Sequence, residues 1–191
     1  AVRVTRSRTT KYGDYTSPYN GKGHRISVNH DLSPFAFLIT FTHEVAHLIT
    51  YTKYQRNVNA HGKEWQFEFK QLMVPFLRRN IFPEDLAAAL VLHMAKPSAS
   101  SCTDIRLQRV LRRYDNKTAE TPVLEEIPEN TRFRISSGRE FIKGKLVRKN
   151  YSCIDVRNKY TYFINPLTEV VICETEPMDN LLFPNGVDPS I

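Results

Sequence analysis

Ser33-Pro34-Phe35-Ala36-Phe37-Leu38-Ile39-Thr40-Phe41-Thr42-His43-Glu44-Val45-Ala46-His47-Leu48-Ile49-Thr50-Tyr51-Thr52-Lys53-Tyr54 reads as one long helix. Ser33 can cap it, Pro34 suits the first helical position, and no further proline or glycine interrupts it. At 100° per residue, His43 and His47 stand about 40° apart and one turn along, so both imidazoles can reach one point. Glu44 falls about 100° from His43, placed to address a water at that point without joining the ligands. Thr40, Thr50 and Tyr54 extend the polar stripe, while Leu38, Phe41, Val45 and Leu48 occupy the other side. Polar groups inside a protein must be paired or coordinated, so a core helix with this stripe points to a buried metal.

A metal that does chemistry usually takes three protein ligands and keeps one position open. The third must come from outside the helix. His61, just before Gly62 where a second helix begins, is the first candidate, and Glu64 and Glu68 on that helix are its rivals. His24, His30 and His93 have no such context and read as surface or capping histidines. Tyr51 and Tyr54 are close enough in sequence to assist a reaction, but ordinary packing is the preferred reading of both.

Outward from this helix, Val2 to Arg8 and His24 to Val28 read as strands, joined by a connection through Tyr12-Gly13-Asp14 and Asn20-Gly21-Lys22-Gly23. The strand from His24 to Val28 either offers an edge to an extended peptide or is already paired inside a sheet. A second helix is predicted from about 62 to 74, with Trp65, Phe69 and Leu72 on its apolar face and Pro75 ending or kinking it. Phe82-Pro83-Glu84-Asp85 opens a third helix, and a fourth covers 103–114. Short strands follow between Thr131 and Glu174, with turns at Ser137-Gly138 and Arg157-Asn158. The fold class is therefore α+β. The predicted divisions are 1–95, a helical connector at 96–128, a β module at 129–175, and a tail at 176–191.

Composition narrows the setting. Of 191 residues, 41% are hydrophobic and 25% charged, which suits a globular chain. No apolar run approaches the roughly 20 residues that cross a bilayer, so no membrane role is expected. Cys102, Cys153 and Cys173 are odd in number and never paired as Cys-x-x-Cys, which points to a reducing, cytoplasmic location. The net charge is +7, and residues 130–160 hold nine basic side chains against Glu140 and Asp155. Arg106, Arg109 and Arg113 on the fourth helix could meet phosphates, as could Arg132, Arg134, Lys143, Lys145, Arg148 and Lys149 in the β module. Tyr151, Tyr160 and Tyr162 could stack on bases. A solvated strand face over an aromatic core accounts for the same pattern.

Four elements together carry a resemblance: Lys11-Tyr12-Gly13-Asp14-Tyr15, Ile26-Ser27-Val28-Asn29, His43-Glu44-Val45-Ala46-His47 and His61-Gly62-Lys63-Glu64-Trp65. Over roughly Thr5 to Met94 the chain resembles the SprT-like metallopeptidases, which include the Spartan proteases. The resemblance implies a zincin-like domain of helices with a small antiparallel sheet. It also implies one zinc per chain on His43, His47 and His61, with Glu44 as general base of an endopeptidase acting on protein or peptide substrates. Spartan proteases act on proteins attached to DNA, which by analogy extends the expectation to a DNA partner. Related proteins often add a zinc ribbon with paired cysteines; this chain lacks those pairs, so the β module is expected to be metal-free.

Overall fold

The computed structural model describes residues 1–8, 11–95, 97, 104–115 and 121–173. The chain divides into two compact units, Ala1–Ala119 and Glu120–Ile191. The segment expected as a connector, 96–128, is shared between them. Its helix joins the first core through Leu107 and Leu111, and Leu124 and Ile127 join the second. The expected tail at 176–191 and Cys102 lie outside the described residues.

The first unit opens with strands β1 (Val2–Thr5), β2 (Gly13–Thr16) and β3 (Arg25–Asn29), in the order β1-β3-β2. β2 pairs antiparallel with β3, but β1 pairs parallel with it, Val2 opposite Ile26 and Val4 opposite Val28. The sheet is thus mixed, not the small antiparallel sheet expected. β3 is its central strand, with both edges taken, so the reading of an open edge there gives way to the paired one. β2, expected as a connection, forms the edge. Its Gly-Asp-Tyr-Thr sequence has little intrinsic strand preference, and pairing with β3 imposes the extended form.

Helix α1 (Pro34–Tyr54) follows, with the Ser33 hydroxyl accepting from the Ala36 amide and Pro34 in its first turn. Its most enclosed residues are Ala36, Ile39, Thr40, Thr42, His43, Glu44, Ala46 and Thr50. Thr40, His43 and Thr50 of the polar stripe therefore lie deeper than the side bearing Leu38, Phe41, Val45 and Leu48, all of which are half-buried, while Tyr54 at the helix end is exposed. Helix α2 (Lys63–Arg78) runs through Pro75 and does not stop there. Trp65, Phe69 and Met73 before the proline and Phe76 and Leu77 after it pack against one core. That continuous burial outweighs the loss of one backbone hydrogen bond. Helices α3 (Glu84–Ala95) and α4 (Ile105–Arg112) complete the core with Leu86, Leu90, Met94, Leu107 and Leu111. Among the described residues no helix is long and apolar enough to cross a membrane.

The second unit is a five-stranded antiparallel sheet of β4 (Arg132–Arg134), β5 (Glu140–Val147), β6 (Asn150–Asp155), β7 (Thr161–Ile164) and β8 (Val171–Ile172), ordered β7-β6-β5-β4-β8. Phe133, Phe141 and Cys153 fill its core with Leu124, Ile127 and Val170. Lys143 sits on that inner face, only 3% exposed. Its ammonium donates to the Ile127 carbonyl at 2.5 Å and lies 4.1 Å from the centroid of the Tyr151 ring. Arg139 spans Phe141 and Tyr162 and donates to Asp155, whose side chain is turned inward.

A candidate metal centre on the first unit

α1 delivers His43 and His47, and the loop that follows it returns His61 to the same place immediately before α2. The three Nε2 atoms converge: His43 to His47 is 3.2 Å, His47 to His61 is 3.0 Å, and His61 to His43 is 3.2 Å. Nitrogens held about 2.0–2.1 Å from one tetrahedral ion stand about 3.3 Å apart. The observed spacing is close to that, so the three residues fit a zinc-sized ion. Among the described residues this is the one such group of histidine, cysteine and carboxylate side chains.

Neither rival joins the group. Glu68 is buried and accepts from Lys53 at 2.7 Å, and the Glu64 carboxylate lies back over Gly62. Trp65, fully enclosed, lies against all three imidazoles, with ring centroids at 4.6, 5.3 and 4.7 Å from His43, His47 and His61. Its indole N–H donates to the His43 carbonyl at 3.4 Å, tying α2 to the turn of α1 that bears the site. Gln66 donates to the His61 carbonyl and fixes the third imidazole's backbone.

Burial sets the protonation of this group. It drives the His43 pKa down to about 3 and that of His47 to about 4, with the neighbouring imidazoles pushing the same way. His61 is lowered too, by burial. All three are therefore neutral near pH 7, the form in which an imidazole nitrogen can bind a metal. Glu44 moves oppositely: burial, then the Asp14 charge, raise its pKa to about 7, against the pull of Lys11, Arg8 and the Tyr15 amide.

These shifts have opposite consequences for stability. The histidines bind protons more readily when unfolded, so their contribution is present above about 6.5 and fades as pH falls toward 4 and 3. Glu44 contributes below its ordinary 4.5, and that contribution is lost as pH rises through about 7. Between pH 4.5 and 6.5 the two oppose each other. In chelator, the melting temperature of Glu44→Gln should therefore fall more steeply than wild type on acidification through that window. Parallel curves would show that the folded structure does not set these protonation states.

Two residues outside the expected set shape the site. Gly13 of β2 passes so close to α1 that a Cβ there would lie 2.7 Å from the Glu44 Oε1 and 2.7 Å from the Thr40 Cγ2. The crowding atoms are side-chain atoms of Glu44 and Thr40 on α1, so a Cβ would force these side chains to shift. Gly13→Ala is expected to cost about 1–3 kcal/mol and to displace the Glu44 carboxylate, read as a lower melting temperature and a changed Glu44 titration. Tyr15 follows on the same strand. Its amide bonds the Glu44 carboxylate, its ring stacks near-parallel to His47 at 6.3 Å, and its hydroxyl lies 2.8 Å from His24 Nδ1. Burial raises the Tyr15 pKa to about 12, with Tyr51 adding to it.

His24 is thus no isolated surface histidine: it lies between Tyr15 and Tyr51, at 6.0 and 5.9 Å. His93 is also misread as surface or capping, because it is buried and lies 2.8 Å from the Asp104 carboxylate. Its place in the sequence held the signal, since Leu86, Leu90 and His93 share one helical stripe. His30 is exposed at the end of β3, as expected.

The basic residues singled out for phosphate contact fare unequally. Lys143 is excluded by burial, since its charge is spent on carbonyls inside the second unit. Arg132 and Arg134 both donate to Glu140, and Arg113 pairs with Asp85. Arg106, Arg109, Lys145, Arg148 and Lys149 are exposed.

Residues 3–84 match the model of the SprT-like family, and the match contains all three histidines, Glu44, Gly13 and Tyr15. No curated protein and no solved structure matches the chain.

Proposed function

From the SprT-like family, to which residues 3–84 belong, we propose that this chain is a zinc-dependent endopeptidase with a zincin-like catalytic domain. The observation that carries the reading is the convergence of the three imidazole nitrogens at 3.0–3.2 Å, one residue away from a buried carboxylate. His43, His47 and His61 hold the metal, one per chain. When bound, zinc supplies Lewis acidity to the scissile carbonyl and to the attacking water. Glu44 takes the proton from that water and passes it to the leaving amine. The Tyr15 amide and the narrow space at Gly13 hold Glu44 in place. β2, the edge strand that brings Tyr15 beside His47, is where an extended peptide would lie.

A structural zinc in a non-enzymatic protein suits the site poorly. Such zinc normally has four ligands with cysteine prominent, and here three histidines converge, with no cysteine in the group. The DNA-associated form of the reading now rests on exposed Arg106, Lys145, Arg148 and Lys149. Burial of Lys143 favours the second reading, a cytoplasmic peptidase with no nucleic-acid partner. Elemental analysis and a protease assay with and without DNA test both. One zinc per chain with chelator-sensitive cleavage supports the enzyme. Cleavage stimulated by DNA, with binding that weakens steeply with salt, supports the first form. Cleavage indifferent to DNA supports the second, and no zinc at all defeats both.

A further inference from the structure

In the same compact unit as the three-histidine cluster lies a pair that the proposed reaction does not use: buried His93 on α3 and half-buried Asp104 at the start of α4. Asp104 Oδ1 accepts from the Arg106 and Leu107 amides at 3.1 and 3.3 Å, which fixes the carboxylate on the first turn of α4. Oδ2 is left facing His93 Nδ1 at 2.8 Å. A carboxylate only accepts, so Nδ1 carries the hydrogen, and in the neutral ring Nε2 is an acceptor. That Nε2 is buried and meets no polar protein atom. The same is true of Nδ1 of His43. If His43 ligates through Nε2, its Nδ1 bears a hydrogen, so the two unmatched atoms are one donor and one acceptor. Phe69 packs against both rings, with centroids at 6.1 Å from His43 and 6.2 Å from His93. His93 is also near enough to His43 to contribute to the depression of its pKa.

We propose that His93, oriented by Asp104, is a positioning residue for the metal ligand His43: His43 Nδ1–H donates to one buried water, which donates to His93 Nε2. The inference rests on the reading of His43 as a ligand and deepens it. A histidine that binds a metal generally ties its second nitrogen to a hydrogen-bond acceptor, which fixes the ring and its tautomer. A purely structural role would explain the contact between His93 and Asp104. It would leave one enclosed nitrogen in each ring without a partner, on either side of Phe69, which folded proteins rarely tolerate. One water, bonded at both ends, satisfies them.

The test is zinc affinity of the full chain by competition with a chromophoric chelator, alongside the melting temperature of the metal-free protein. Wild type is compared with His43→Ala, His93→Phe and Asp104→Asn. His93→Phe keeps a ring in the space but cannot accept, and is expected to weaken zinc binding about 10–100-fold. Asp104→Asn keeps the cap on α4 through Oδ1 but turns an amide N–H toward His93 Nδ1. The ring hydrogen must then move to Nε2, so the water accepts from both rings and finds no acceptor for its own hydrogens, and affinity should fall, by less than in His93→Phe, while α4 stays capped. If His93→Phe fails to fold, Asp104→Asn decides. Wild-type zinc affinity in Asp104→Asn, or in a folded His93→Phe, overturns the proposal while leaving the metal centre standing. A wild type that binds no zinc would instead overturn the reading beneath it.

Discussion

Glu44→Gln should keep one zinc per chain and lose peptidase turnover by about 100-fold to 10,000-fold, the range associated with a positioned general base. The two readouts are expected to separate because the carboxylate stands beside the metal group without joining it. Only 7% of Glu44 is exposed, and its carboxylate lies against Gly13 and Thr40 and accepts from the Tyr15 amide. Glutamine matches its shape and can keep the Tyr15 contact through its amide oxygen, but it cannot take a proton. Burial holds the acid near pKa 7, so at higher pH the wild type carries an enclosed negative charge that glutamine lacks. In chelator at pH 8, Glu44→Gln should therefore melt no lower than wild type. Loss of activity together with loss of metal would mean that the carboxylate is needed for binding. Full activity with metal bound would remove Glu44 from the chemistry.

Much of this site was legible because it depends on one helix. Ser33, Pro34 and the unbroken run to Tyr54 define α1, and the four-residue spacing of His43 and His47 then fixes their common face whatever the rest of the chain does. The choice among His61, Glu64 and Glu68 was not local. The chain's return after α1 brings His61 to the pair on that helix, while Glu68 pairs with Lys53. Gly13 and Tyr15 were harder still. They belong to a four-residue strand that exists only because β3 offers it an edge, so no pattern within Gly13–Thr16 announces it. Lys143 shows the converse error. Basic residues at alternating positions suggested a charged outer face, but Lys143 shares its face with Phe141 and lies opposite Cys153, and its ammonium is satisfied by carbonyls outside the sheet. Residue type alone does not reveal which side of a strand faces inward.

His61→Ala is expected to separate the metal from the fold. The metal-free protein holds three neutral imidazoles with their Nε2 atoms 3.0–3.2 Å apart, an arrangement that contributes little without an ion between them. His61 is also half-buried at the end of a loop, so its removal opens no deep cavity. The metal-free melting temperature should therefore hardly change. Zinc binding should change greatly. Apparent free energies of about 10–16 kcal/mol for four-ligand zinc sites correspond to about 2.5–4 kcal/mol per ligand, or roughly 70-fold to 900-fold in affinity. At saturating zinc the stabilisation conferred by the metal should shrink by the same amount, about 2.5–4 kcal/mol. Melting curves with and without zinc measure this directly. His61→Ala should lose metal and activity together, whereas Glu44→Gln loses activity alone. Undiminished zinc affinity in His61→Ala would mean that another group completes the coordination. Glu64 would be the first to examine, because Glu68 is already committed to Lys53.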